Sequence, residues 1–114
     1  IKGRGAGNNL GFPTANIELI DKNKILPLNG VYAVKILFNH HAYKGMLNIG
    51  YNPTFGKNKL SIEAHIFNFN QNIYNETITI EFIKRIRNEK KFPTVDLLKK
   101  QISMDKISAL NILI

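Results

Sequence analysis

Two oxygen-bearing side chains able to hold a hard cation stand two residues apart in this sequence. They are Thr14 and Asn16, closing the stretch Leu10-Gly11-Phe12-Pro13-Thr14-Ala15-Asn16. In extended chain a spacing of two puts both on one face. A hydroxyl and an amide oxygen are neutral hard donors, suited to Mg²⁺ and to phosphate-bound water. Pro13 fixes its own φ and biases Phe12 toward an extended conformation. Just upstream, Gly3-Arg4-Gly5-Ala6-Gly7-Asn8-Asn9 places three glycines in five residues. Such a run, read as a loose loop, lets backbone amides approach an anion with no Cβ in the way. No Gly-Lys-Ser/Thr closes it, and no strand–glycine loop–helix unit surrounds it, so it is neither a Walker loop nor a dinucleotide fingerprint. Taken alone, the glycines fit a flexible turn before a strand better than a phosphate loop.

A second group lies on Leu60 to Phe67, where Ile62, Ala64 and Ile66 share one face and Glu63, His65 and Phe67 the other. A carboxylate there is able to take a proton, although most strand carboxylates simply face solvent. His65 reads more readily as a packed or surface histidine. His40 and His41 are adjacent and lack an evident third ligand, which argues against zinc.

These groups must be positioned by strands. Val31 to Phe38 is rich in β-branched and aromatic residues, Asn39-His40-His41 is a hairpin-like connection, and Ala42 to Tyr51 returns. Asp21-Lys22-Asn23 reads as a turn, and Asn52-Pro53-Thr54-Phe55-Gly56-Lys57-Asn58-Lys59 as a polar loop. Thr77 to Phe82 alternates strictly, with Ile78, Ile80 and Phe82 inward, and the phase break at Ile83 predicts a bulge or a change of partner. Arg85 to Lys91 is a charged strand end and loop. Thr94 is set to cap a helix whose apolar face carries Leu97, Leu98 and Ile102, and Asp105 to cap a last short helix through Leu113. Short-linked strands followed by helix predict a closed or nearly closed antiparallel barrel with a helix packed on it.

The 114 residues suffice for one domain with a real core. There is no apolar run of the ~18 residues that a membrane span needs, and Ile1-Lys2-Gly3-Arg4 does not open a signal peptide. Zero cysteines exclude disulfides and thiolate metal sites and fit a cytoplasmic protein. A net charge of +8 favours anionic partners. The start at Ile1 suggests one domain cut from a longer polypeptide.

In this order the blocks resemble the riboflavin kinase family, often found as the carboxy-terminal half of bacterial bifunctional riboflavin kinase/FMN adenylyltransferases. The resemblance rests on Leu10 to Asn16, Gly30-Val31-Tyr32-Ala33-Val34, Asn48-Ile49-Gly50, Asn52-Pro53-Thr54-Phe55, Ile62-Glu63-Ala64-His65-Ile66, Tyr74, Ile86 to Phe92, and the final helix with Asp105. It covers nearly the whole chain and implies a mainly β fold, a six-stranded antiparallel Greek-key barrel with a C-terminal helix. It also implies Mg²⁺- and ATP-dependent phosphorylation of the riboflavin 5′-hydroxyl, giving FMN and ADP. Thr14 and Asn16 would hold the metal. Gly3, Gly5, Gly7, Asn8 and Tyr74 would join them around ATP. Glu63 would be the base, and Arg87, Glu89, Phe92 and Leu97 would contact the flavin. The family often has a basic residue near Asn8, and its usual segment before Ile1, with part of the first strand, is missing. An FMN adenylyltransferase domain would be the natural neighbour in a longer chain.

Two rival readings stay open beside the enzyme. One is a flavin-binding remnant without turnover. The other is a basic nucleic-acid-binding barrel, against which Tyr32, Tyr43 and Phe67 are scattered rather than gathered on one stacking platform.

Overall fold

Residues that alternate apolar and polar bury one face of a strand and leave the other for packing or solvent. In the computed structural model this pattern yields β1 (Lys2–Asn9), β2 (Thr14–Leu19), β3 (Gly30–Phe38), β4 (His41–Tyr51), β5 (Leu60–Ile66) and β6 (Thr77–Arg87), followed by α1 (Val95–Ile112). The structure describes the backbone of residues 1–9, 14–21, 23, 25–51 and 60–114, and the side chains of these except 4–9 and 14. Leu10-Gly11-Phe12-Pro13, Lys22 of the expected turn and the expected loop from Asn52 to Lys59 lie outside the described residues.

The strands close into a barrel in the order β1-β2-β5-β4-β3-β6, every neighbouring pair antiparallel. β3, β4 and β5 follow one another and β6 returns to lie beside β3, the Greek-key arrangement. Asn39 and His40, at φ 51° and 65°, make the two-residue turn between β3 and β4.

Val34, Ile36, Leu47, Ile49, Ile78 and Ile80 fill the interior and are fully buried. Each contributes roughly 1.5–3 kcal/mol. With the barrel lumen packed by side chains, a ligand site must lie on its outer surface or at its ends. A second cluster forms outside the barrel, where Ala109 of α1 and Leu113, the residue capping its C-terminus, cover Ala33, Met46 and Phe67.

The structure changes three sequence expectations. The glycine run is not a loose loop: Lys2–Asn9 pairs with β2 along its length, with one register shift between Gly5 and Gly7 that leaves Ala6 extra. Glycine weakens a strand, and pairing on both edges, with β2 and β6, offsets that cost in β1. Second, Val95 to Ile112 is one helix, not two. No proline or glycine interrupts it, and Asp105 is used within it rather than as a cap. Third, the packed stripe begins at Ile102 and continues through Asp105, Ala109 and Leu113, while Leu97 and Leu98 stay exposed.

Other expectations hold. Thr94 is the N-cap of α1, its Oγ1 accepting from the Leu97 N–H at 3.2 Å. The phase break in β6 is a bulge, since Val34 faces Phe82 while Ala33 faces Lys84, leaving Ile83 extra. A second bulge leaves Ile86 extra between Arg85, opposite Tyr32, and Arg87, opposite Val31. Each bulge exchanges the faces of the residues beyond it. The first turns Arg85 toward Tyr32 at the barrel end. The second sets Arg87 on the outer face, beneath α1.

Candidate active site

Inward-facing Ala15, Ile17, Leu47, Ile49, Ile62 and Ala64 fix the outward direction of their neighbours Asn16, Asn48 and Glu63. The strand registers then bring these polar residues together. Asn16 of β2 is the partner of Glu63 on β5, and Glu63 of Asn48 on β4. Asn48 faces Val31 on β3, and Val31 faces Arg87 on β6. Gly7 of β1 completes the row beside Asn16. One row of cross-strand partners therefore passes through all six strands. At about 4.8 Å per step, Asn16 and Arg87 lie about 19 Å apart along the curved surface.

Asn16 Oδ1 is buried and accepts no hydrogen bond among the described residues. A buried acceptor without a donor is costly, and an oxygen in that condition suits a cation. The adjacent row places Thr14 opposite His65 and His65 opposite Met46. The Thr14 backbone is thus on β2 beside Asn16, and its side chain, like that of Asn8, lies outside the described residues. Burial first, and then the positive charge of Lys106, hold the His65 imidazole below its ordinary 6.5, which favours the neutral ring. His65 also meets the Phe67 ring edge-on at 5.2 Å.

At the other end of the row, Arg87 donates from Nε and Nη2 to the Asp105 carboxylate at 2.8–3.0 Å. Its Nη1 donates to the Asn88 carbonyl at 2.9 Å. Asp105 is only 3% exposed and also accepts from Gln101 Nε2 at 2.9 Å. The guanidinium lies 5.8 Å from the centre of the Phe92 ring. Arg87 thus ties α1 to β6 and holds the start of the 88–94 connection. Glu89, on that connection, lies over β4: a Cβ on Gly50 would collide with its carboxyl group. Arg87, Glu89 and Phe92 are thereby gathered on one side, with Leu97 exposed on the first turn of α1.

Two predicted site residues stand apart. Gly3 is buried and faces inward, where a Cβ would strike Ile17 Cγ2. Its place in the barrel packing explains the glycine without a ligand. Tyr74 is 56% exposed, in the connection before β6, with its N–H on Asn72 Oδ1 at 2.9 Å.

Sequence reasoning missed Arg85, which donates to Tyr32 Oη at 2.8 Å, to the Asn29 carbonyl at 2.7 Å and to Asn88 Oδ1 at 2.6 Å. It clamps the entry to β3 against the exit of β6. Gly30 is required there, because a Cβ would come within 2.8 Å of the guanidinium and φ is +156°. Asn48 stood in a recognised block with no physical role of its own, and Asp105 was expected as a helix cap rather than as the buried partner of Arg87. The available signal for Asp105 was a lone carboxylate among Ile102, Ala109 and Leu113, which demands a buried cationic partner.

Comparisons with known proteins bear on the family and the fold. The family model Flavokinase, riboflavin kinase, matches residues 1–113. The Bacillus subtilis bifunctional riboflavin kinase/FMN adenylyltransferase is 46% identical over 113 residues, covering 96% of this chain and 35% of that protein. The chain spans about a third of the length of the curated relatives it first matches. A Streptococcus pneumoniae crystal structure described as a macrolide-efflux protein superposes with a TM-score of 0.87 at 36% identity, over 96% of this chain and 38% of that one. The crystal structure of riboflavin kinase from Trypanosoma brucei shares the fold, with a TM-score of 0.69 at 24% identity over 98% of this chain and 74% of that one. Among the described residues no helix is long and apolar enough to cross a membrane. On its family match alone, the chain belongs to the riboflavin kinase family.

Proposed function

We propose that this domain transfers the γ-phosphoryl group of ATP to the 5′-hydroxyl of riboflavin, giving FMN and ADP, with Mg²⁺ as the metal cofactor. The observation that carries the reading is the buried, unpartnered Asn16 Oδ1 directly across the β2–β5 pair from Glu63 in a chain of this family.

Phosphoryl transfer asks a protein chiefly for positioning and charge neutralisation. Asn16 Oδ1 and the Thr14 hydroxyl are the oxygens that would hold Mg²⁺, and both are neutral, so neither repels a nucleotide. When bound there, the metal would neutralise charge on the phosphate oxygens. Gly7, the β1 partner of Asn16, brings backbone without a side chain to the same place, and Gly5 and Asn8 flank it. Glu63 takes the proton of the riboflavin 5′-hydroxyl as that oxygen bonds to the γ-phosphorus and the bond to the ADP oxygen breaks. The flavin ring lies toward the 88–94 connection, with Phe92 and Leu97 offering apolar cover and Glu89 a polar edge. Arg87 positions this connection through Asp105 rather than serving as a free ring contact. The relatives' second activity supports an FMN adenylyltransferase domain as the partner in a longer polypeptide. The absence of cysteine and the need for ATP fit the cytoplasm.

The reading is tested by titrating riboflavin against the protein, following flavin fluorescence, and separating the products by chromatography after adding ATP and Mg²⁺. Quenching together with FMN supports the kinase. Quenching without FMN makes the domain a flavin-binding remnant, and binding of a single-stranded oligonucleotide in place of riboflavin makes it a nucleic-acid module.

A further inference from the structure

Ser61 Oγ is the second buried oxygen with no hydrogen-bond partner among the described residues, and nothing in the transfer chemistry uses it. Ser61 is 8% exposed and sits on β5 directly opposite Gly50 of β4. Ile62 and Ile49 point into the barrel, so Ser61 and Gly50 face outward, on the face that carries Glu63 and Asn48. The Glu89 carboxyl group occupies the space over Gly50 that a Cβ would need. A hydroxyl and a carboxylate thus stand at the same row of the sheet.

We propose that Ser61, opposite the bare backbone of Gly50 and beside the Glu89 carboxyl group, binds the ribityl hydroxyls nearest the flavin ring and helps set specificity for the polyol chain. The proposal rests on the reading of riboflavin as substrate. Ser61 and Glu63 are two residues apart on one strand face, about 6.7 Å along the strand. A five-carbon chain in extended form is close to that length. With the terminal hydroxyl at Glu63, the inner hydroxyls fall at the row of Ser61 and Glu89. The chemistry matches: an ionised carboxylate only accepts, a serine hydroxyl both donates and accepts, and secondary alcohols can serve each. A second anionic group on the ligand would be repelled by Glu89 at this end. The phosphate end is four steps from Arg87, beside Asn16.

The test compares riboflavin with lumiflavin, which has the ring but no ribityl chain. Dissociation constants for both flavins, melting temperature and FMN formation are measured for the parent and for Ser61→Ala. Loss of one hydrogen bond from a buried site should weaken riboflavin about tenfold. Lumiflavin affinity and melting temperature should stay as in the parent, and FMN formation at saturating riboflavin should change less than KM. Equal loss for both flavins would make Ser61 a structural residue, and no loss for either would remove it from the site; each result overturns the proposal. A parent that binds neither flavin overturns the kinase reading itself, which is visible before any variant is made.

Discussion

Asn16 and Glu63 are direct partners across the β2–β5 pair, on the outer face of a barrel whose lumen is filled. Direct partners carry their Cβ atoms about 4.5–5.5 Å apart. A metal-bound phosphate at Asn16 and a hydroxyl bound at Glu63 would therefore be held within reach of each other by backbone register alone. That relation accounts for the order of the two motifs in the chain, far apart in sequence and adjacent in the sheet.

Asn16→Ala removes a buried oxygen that has no donor in the described structure. Stability without metal should change by less than about 1 kcal/mol, because an unsatisfied acceptor is lost along with its packing. The rise in melting temperature on adding Mg²⁺ and ATP should shrink or vanish. A full Mg-ATP shift in the variant would remove Asn16 from the metal site.

Glu63→Gln keeps shape and hydrogen bonding while removing basicity. The single-turnover rate should fall roughly 10²- to 10⁴-fold, with riboflavin and ATP affinities nearly preserved because the base acts mainly in the transition state. Rapid-quench measurement beside binding titrations separates the two. A rate near that of the parent would show that Glu63 is not the base.

Asp105→Ala leaves the Arg87 guanidinium without its main partner. The pair is largely sheltered, with side chains 22% and 4% exposed, so breaking it should cost about 3 kcal/mol. In a domain of this size that lowers the melting temperature by roughly 10 °C. Riboflavin affinity should fall as well, since Arg87 no longer fixes the start of the 88–94 connection. Differential scanning calorimetry and flavin titration below the variant's melting temperature read both effects.

The surroundings of His65 set the sign of the pH dependence expected from it. Burial and Lys106 lower its folded pKa below 6.5. The unfolded chain therefore binds a proton first as the medium is acidified, and stability is lost as pH falls below about 6.5, down to the lowered folded value. His65→Gln should flatten the melting-temperature profile over that interval. An unchanged profile would assign the acid sensitivity to other groups.

Much of the barrel was legible because Leu60 to Phe67 and Thr77 to Phe82 alternate, Val31 to Phe38 is rich in β-branched and aromatic residues, and turn residues punctuate the chain between strands. The bulge at Ile83 showed as a broken phase, and Thr94 as a cap before an apolar run. The strand formed by Lys2–Asn9 was not legible, since glycines carry no alternation and its pairing is supplied by distant strands. The second bulge at Ile86 was hidden in a charged stretch. It is the feature that turns Arg87 toward Asp105. Asn16, Glu63 and Asn48 could each be named from sequence, but their alignment depends on register, which local pattern does not specify. Arg85 was passed over because one arginine in a basic segment looks like solvated surface until Tyr32, Asn29 and Asn88 surround it.

The most direct measurement is a single-turnover reaction with the protein in excess over riboflavin, ATP and Mg²⁺ present, quenched over time and resolved by chromatography. Riboflavin should be converted to FMN with one ADP formed for each FMN, and conversion should stop when the metal is chelated. A folded protein that leaves riboflavin unphosphorylated, or that makes FMN at the same rate without a divalent metal, would contradict the proposed reaction.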